Sequence, residues 1–508
     1  MQPSQTHLAA SAILLAGAAW AAELRIQLQD ERGRPIAGRV EVHGSDGKMY
    51  RAPGTLPSRP AERSETGSPY LRSFVFRDSA SITAPRGRYR VIAEHGLEYE
   101  RVTREVELAE GAQSSIKLTL RPWIRMYKRG WWSGDMHVHR PMEDTPMLLE
   151  AEDLNLGIVF TMWNRQNLWG DRALPNDWIR KTGPDRWMTV TNGEDERGGG
   201  AWMLHGLSNA LGFDKVLRDG ERSTESWDPP GIEFVRRARA GKRALFPWFD
   251  LEKPIWWEAP VMMALERPDS MGLLNNHYNQ YAMYDGEAWG RKRDTARFAG
   301  LHGYSDYSLH LMYRYWNLGW MVPPSAGAAS GVLPNPVGYN RMYVKLNGEF
   351  TVEKWYEGAK AGRVMVSNGP LVFFEPKLQQ RGGRLRGRIE AISGDELERV
   401  EIVANGKVIQ RWNPPGKQFR ANLDLDVAQY SWVAARAYAK NDATVRLGHT
   451  DPFQLTGIWD RREDARYFRE WIEELQQNPK TPPGTRAAEL YSQALQVYRE
   501  MENDKLLP

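Results

Sequence analysis

The hydrophobic periodicity of the chain changes twice along its length, and no other feature limits the fold as much. From Leu24 to about Pro122, apolar and polar residues alternate in short runs. Leu24-Arg25-Ile26-Gln27-Leu28, Val40-Glu41-Val42, Tyr89-Arg90-Val91-Ile92 and Ser115-Ile116-Lys117-Leu118-Thr119-Leu120 all have strand period. Asp30-Glu31-Arg32-Gly33-Arg34-Pro35 is a turn cluster between two such runs. Antiparallel strands without a helical stretch predict a small β-sandwich over residues 24–122. It carries no catalytic constellation and reads as a spacer or docking module.

The middle, residues 129–374, follows another rule. Asp135-Met136-His137-Val138-His139 precedes a helical pattern from Pro146 to Leu156, and Gly157-Ile158-Val159-Phe160-Thr161-Met162-Trp163 then reads as a buried strand. Trp187 to Thr191, Ala244 to Phe249 and Met271 to Leu274 are further strands. Strand, helix, strand in succession implies a parallel sheet or barrel, with chemistry gathered at the carboxyl ends of the strands. Strand alternation returns over 375–459, as in Val400-Glu401-Ile402-Val403 and Trp432 to Tyr438, with the hairpin turn Asn405-Gly406. The tail, 460–508, has helical spacing at Tyr467, Trp471, Ile472 and Leu475 and again at Leu490, Tyr491, Leu495 and Tyr498, divided by Pro482-Pro483-Gly484. The expected fold is therefore multidomain: a central α/β domain, a β-sandwich on each side and a helical tail. The 508 residues agree with that count at about 150 per domain.

Composition removes several function classes. The chain has 0 Cys, so disulfides, thiolate metal sites and a cysteine nucleophile are impossible, and any metal must sit on imidazole, carboxylate or amide groups. A net charge of +4 on so long a chain gives no electrostatic case for nucleic acid as a partner. Leu8 to Ala22 is an apolar or small-residue run too short for a comfortable membrane span, and Ala19-Trp20-Ala21 has the small-x-small form of a cleavage site. These features predict a signal peptide over 1–21 and a secreted or periplasmic protein with no stable membrane insertion after cleavage, although only His7 could supply the positive charge usual before such a run.

Three polar clusters stand at the ends of apolar strands in the middle segment. His137 and His139, two apart on a strand, project from one face, so two imidazole nitrogens can chelate one ion. Asn192-Gly193-Glu194-Asp195-Glu196-Arg197, beside the triplet Gly198 to Gly200, offers three carboxylates; a solvated acidic turn is the alternative. Asn275-Asn276-His277 brings a third imidazole, or a structural histidine. Glu194 is a ligand or, with Glu196, the base that takes a proton from water. Asp144, Glu252 and Asp195 are candidates to orient the histidines, Asp144 also for catalysis, and His205 either ligates or packs. Lys253 and Arg341 suit an anionic substrate group or are merely paired charges. Trp163, Asn164, Glu252, Lys253, Asn276 and Arg341 form the candidate substrate-binding set. The chain also has 21 Trp, many in this segment, which suit either core packing or a platform for a small-molecule or glycan-like substrate.

Gly130-Trp131-Trp132-Ser133-Gly134-Asp135-Met136-His137-Val138-His139 resembles the opening motif of CehA/McbA-type metallohydrolases, members of the PHP (polymerase and histidinol phosphatase) superfamily of α/β barrels. Gly193-Glu194 matches a later metal-ligand motif, and Tyr339-Asn340-Arg341-Met342-Tyr343-Val344 with Ala361 to Pro370 matches the closing pattern. The resemblance covers roughly Gly130 to Phe374. It implies a distorted barrel, metal ligation by His137, His139, Glu194 and His277, and water activated on Zn, Mn or Fe against a phosphoester, ester or carbamate. The chain departs from the pattern twice. Thr161-Met162-Trp163-Asn164 stands where the family usually has Thr-Asp-His-Asn, and Pro324 to Ser330 stands where it has Gly-Ser-Asp-Ala-His. At least two usual ligands are missing, so one ion is expected and at most two, with Trp163 filling the volume of another. The segment 24–122 resembles carboxypeptidase-regulatory-like modules.

Two functions follow from this reading. One is an exported metal-dependent hydrolase. The other is a degenerate barrel that binds a ligand, such as a glycan, in its aromatic cleft without cleaving it.

Overall fold

In the computed structural model, residues 21–57, 72–241, 245–379 and 383–503 are described. The expected leader, 1–21, lies outside them except for Ala21, as does Ala244 of an expected strand. Strands hold 38% of the residues and helices 19%, so sheets set the architecture. The chain divides into two compact units, one essentially Met1–Trp123 and the other the rest.

The first unit has two sheets. Ser79–Ala84, Ala22–Gln29 and Gln113–Thr119 form one; Leu56–Pro57, Phe74–Arg77, Ala37–Gly44, Gly87–Glu94 and Val102–Leu108 form the other. Alternation works as read: Leu24, Ile26 and Leu28 are buried while Glu23 and Arg25 are exposed, and they share one core with Val40, Val42 and Val91 of the second sheet. The expected antiparallel order fails at one pair, because Ala22–Gln29 runs parallel to Gln113–Thr119, with Leu24 opposite Ser114.

The second unit is built on one long sheet. Its strands are β1 (Trp131–Val138), β2 (Leu156–Trp163), β3 (Arg186–Arg197), β4 (Gly200–His205), β5 (Trp248–Leu251), β6 (Ser270–Leu274), β7 (Pro324–Ala326), β8 (Arg341–Lys345) and β9 (Val364–Ser367). The order is β7–β6–β5–β4–β3–β2–β1–β8–β9. β1, β2 and β3 are parallel neighbours, as are β5, β6 and β7, while β3–β4 and β4–β5 are antiparallel. The sheet curls back on itself: Val138 bridges Ser330 just after β7, and His139 N–H donates to the Ser330 carbonyl at 2.8 Å. The helix expected from Pro146 to Leu156 is shorter, α1 (Thr145–Ala151).

Beyond β9 the sequence suggests separate domains at 375–459 and 460–508; both stretches fall in the second compact unit. β10 (Leu371–Leu378), β11 (Arg384–Ile392), β12 (Leu397–Ala404), β13 (Lys407–Trp412), β14 (Gln418–Asp426), β15 (Trp432–Ala439) and β16 (Arg446–Thr450) do contain a three-stranded sheet, β10–β11–β14. The rest, however, extend the central sheet as β9–β16–β15–β12–β13. Alternation reveals a strand but not which sheet it joins. The tail is likewise integrated. Among further helices, α2 (Ala259–Leu265), α3 (Arg462–Leu475) and α4 (Arg486–Asn503) pack together, with Trp471, Leu475, Leu490 and Leu495 in the common core. From α4, Tyr491 donates to Glu258 at 2.6 Å and Tyr498 to the Pro260 carbonyl at 2.9 Å.

The burial of Glu258 makes stability depend on pH. Burial pushes the Glu258 carboxyl up to about 7, against the hydrogen bond from Tyr491 and the Arg197 charge. A raised folded pKa means that the folded state binds the proton more tightly. This contribution is complete below about 4.5 and is given up as pH climbs through about 7. Glu258→Gln does not titrate, so its stability relative to the parent should rise between pH 5 and 8, by up to about 3 kcal/mol. Urea denaturation at the two pH values measures the difference.

Candidate metal centre

Strand alternation assembles the centre from β1 and β3. His137 is the penultimate residue of β1, and His139 follows its end on the same side. The acidic run is the end of β3, which continues to Arg197 before the hairpin into β4, so the alternative of a solvated turn does not hold. In a strand, successive side chains point to opposite faces, so Glu194 and Glu196 share one face and Asp195 and Arg197 the other. Asp195 is held bidentately by Arg197, at 2.5 and 2.9 Å, and takes no part in the centre. Each acid of the run has a side-chain partner, Glu196 in Trp163 and Asn164, which explains how a string of acids forms this strand.

Three ligand atoms converge. His137 Nε2 and His139 Nε2 lie 2.8 Å apart, His139 Nε2 is 2.9 Å from Glu194 Oε2, and His137 Nε2 is 3.3 Å from it. Donors bound to one ion at the ~2.0–2.2 Å usual for zinc with nitrogen or oxygen should sit about 3 Å from each other, so the triangle has the dimensions of one face of a coordination shell. All three side chains are at most 5% exposed, and Glu194 Oε2 is buried without a hydrogen bond of good geometry. Burial opposes ionisation of Glu194, but the two imidazoles outweigh it and hold the carboxyl well below the usual range. This buried group can hold a metal ion.

Around the triangle lies a ring of buried charge. Glu252 Oε1 stands 3.7 Å from His137 Nδ1, and the same carboxylate binds Lys253 Nζ through both oxygens at 2.6 and 2.5 Å. Trp256 donates to Glu252 at 3.1 Å, and Lys253 lies 4.6 Å from the indole ring centroid. Glu196 accepts from Trp163 Nε1 at 2.9 Å and Asn164 Nδ2 at 3.1 Å. Burial, then repulsion from Glu194, lifts Glu196 to about 7. Glu194 and Glu252 stand against the ammonium of Lys253, and their charges, opposing burial, raise the pKa of His137. The Trp163 ring packs 4.6 Å from that of His139.

No family model matches the chain, and no curated protein matches it. The site must be read from its own geometry.

Several sequence-predicted residues lie elsewhere. His277 is not one of the three converging groups: its Nδ1 faces the Tyr284 carbonyl at 3.2 Å and its ring stacks on Tyr304 at 4.6 Å. Asp144 pairs with Arg140 at 3.2 Å and is not one of the three converging groups. Arg341 is fully buried, with Nε donating to the Gly338 carbonyl at 2.6 Å and Nη1 to that of Asp153 at 3.4 Å. Asn276 is half-buried, its carbonyl facing Asn335 Nδ2 at 3.4 Å and its Oδ1 buried without a hydrogen bond. His205 packs: Phe160 lies between it and His137, with ring centroids 5.7 and 5.4 Å away, and burial keeps it neutral with a pKa lowered to about 3.

Two acids that sequence reasoning assigned no role support the site. Asp135 is fully buried, and its carboxylate accepts from the backbone N–H groups of His137 at 2.9 Å, Ala328 at 3.0 Å and Gly338 at 2.7 Å. Asp250 accepts from the hydroxyls of Ser270 and Ser325, both at 2.5 Å. The signal for Asp135 was available, since it falls in the same alternation as His137 and His139.

The segment Pro324 to Ser330 passes directly beside the first histidine. A Cβ built on Gly327 would stand 2.5 Å from the His137 Cβ, closer than side chains approach. Gly327→Ala should therefore displace His137, weakening metal affinity about 10–100-fold, the range seen when a ligand loses its support. A competitive zinc titration reads the change.

Proposed function

We propose that the chain is a metal-dependent hydrolase of the CehA/McbA type, its curled sheet a distorted PHP-like barrel and His137, His139 and Glu194 its ligands for one divalent ion, Zn, Mn or Fe. The observation that carries this reading is the buried triangle of two imidazole nitrogens and one carboxylate oxygen at 2.8, 2.9 and 3.3 Å. When bound, such an ion supplies Lewis acidity, enough on zinc to bring the pKa of water near ~7.

The chain's own residues supply the remainder. Glu252 faces His137 Nδ1 and fixes the ring so that Nε2 points inward. Glu196, poised by burial near neutrality and held in place by Trp163 and Asn164, takes the proton from the attacking water and returns it to the leaving group of a phosphoester, ester or carbamate. Lys253, buried on Glu252, offers positive charge to the oxygen that becomes anionic. Tryptophans at 163 and 256 form apolar walls that exclude water. Export through cleavage after Ala21 belongs to the same reading. Among the described residues, no helix is long and apolar enough to cross a membrane.

Metal analysis of the purified chain, followed by turnover on phosphoester, ester and carbamate substrates with added Zn or Mn, tests the proposal. About one ion per chain and metal-dependent turnover are expected. A second reading, ligand binding without cleavage, draws on Met162 and the small residues Ala326 to Ala329, which bring no ligand side chain to the centre. Metal binding without turnover on any substrate would favour it.

A further inference from the structure

Away from the metal centre, the second unit has a groove along its three-stranded sheet. Two adjoining cavities of about 420 and 460 Å³ share Arg129, Phe373 and Glu375 as a common wall. Cross-strand register builds the floor of one of them. Phe373 of β10 stands opposite Glu390 of β11, which stands opposite Arg420 of β14; Glu375, Arg388 and Asn422 form the next row. Because side chains alternate by two, both rows face the same way. The other cavity is lined by Trp131, Lys345, Arg363, Asp451 and Phe453.

The chemistry of this groove is mixed in a particular pattern. Trp131 and Phe373 meet edge to face at 6.2 Å, Arg129 lies 3.6 Å over the Phe373 ring, and Lys345 is 5.9 Å from that of Trp131. Arg129 and Arg420 pair with Glu390, at 2.6 and 2.9 Å, and Arg388 stands 3.7 Å from Glu375. Lys345 and Arg363 are exposed and have no carboxylate partner among the described residues. Asp451 lines the same cavity with Oδ1 buried and without a hydrogen bond, and burial holds its carboxyl well above the usual range. The groove thus combines two cations without a carboxylate partner, Arg363 Nε donating only to the Lys345 carbonyl at 3.1 Å, with aromatic rings and a carboxyl group that has one unbonded oxygen.

We propose that this groove binds a carboxylated oligosaccharide, a chain of uronic acid units, independently of the metal centre. Each unit of such a chain carries one carboxylate, which Lys345 and Arg363 can take, the guanidinium bidentately. It also carries flat C–H faces for aromatic rings and hydroxyls for the acidic side chains. Cavities of this size are ordinary for ligand sites. An acidic peptide would match the cations but leave the aromatic rings and Asp451 without suitable partners.

Calorimetric titration of the full chain with tetragalacturonate at fixed ionic strength tests this. Saturable binding is expected, weakened at least about tenfold by Lys345→Glu combined with Arg363→Glu. Both positions are exposed, so the variant should keep the parent's circular dichroism and melting temperature. Phe453→Ala, which carries no charge change, should weaken binding as well. Absence of saturable binding, or affinity indifferent to the charge reversals, overturns the proposal. So does equal affinity for a neutral tetrasaccharide, for polyglutamate or for oligothymidylate. None of these outcomes bears on the metal centre, because its ligands are untouched.

Discussion

His137→Ala should reduce bound metal from about one ion per chain to near zero and abolish metal-dependent turnover. The arithmetic starts from apparent zinc binding of about 10–16 kcal/mol for a full ligand set at neutral pH. Removing one protein ligand of three forfeits roughly a third of that, some 3–5 kcal/mol, or about two to four orders of magnitude in affinity. The loss is aggravated because Glu194, which faces both imidazoles, would keep its buried charge with only His139 beside it. Metal content after dialysis against a weak chelator gives the stoichiometry, and a zinc competition assay gives the affinity. The variant should otherwise fold, since the His137 N–H that Asp135 holds belongs to the backbone. Metal content unchanged in the variant would remove the basis for calling the chain a metalloenzyme.

The two histidines were legible in the sequence because a strand's period of two makes geometry out of spacing. Glu194 and Glu196 were legible as acids at a strand end, but the full extent of the strand was not: β3 runs on through Glu-Asp-Glu-Arg and carries it inward by giving each face separate partners. His277 and Arg341 show where such reading stops. The direction of a lone imidazole after a strand depends on the loop that follows, and here Tyr284 and Tyr304 claim it. A guanidinium has five donors, and those of Arg341 face backbone carbonyls that no sequence pattern announces. The N-terminal sandwich was legible from alternation alone, because a core on one face needs no long-range information. The continuation of β9 into β16 was not, because sheet membership is settled by contacts between distant segments.

Asp135→Ala should be the most destabilising single change near the centre. The carboxylate is the acceptor for three backbone N–H groups from three separate stretches: β1 itself, the small-residue segment after β7, and the turn before β8. Without it, three buried donors lose their partner at about 1–3 kcal/mol each, so a loss of roughly 3–6 kcal/mol is expected even after some relaxation. That is a large share of the about 5–15 kcal/mol by which domains are usually stable. The effect should reach the metal centre as well, because the same carboxylate fixes the backbone that carries His137 beside Gly327. Asp135→Asn separates the two consequences. It keeps one carbonyl oxygen and the volume, but its amide nitrogen would face an N–H donor where an acceptor is needed. Two outcomes distinguish support of the fold from support of the site. If Asp135→Asn melts well below the parent yet binds zinc at low temperature with unchanged affinity, the residue only braces the fold. If affinity falls in step with stability, Asp135 positions His137 for the ion.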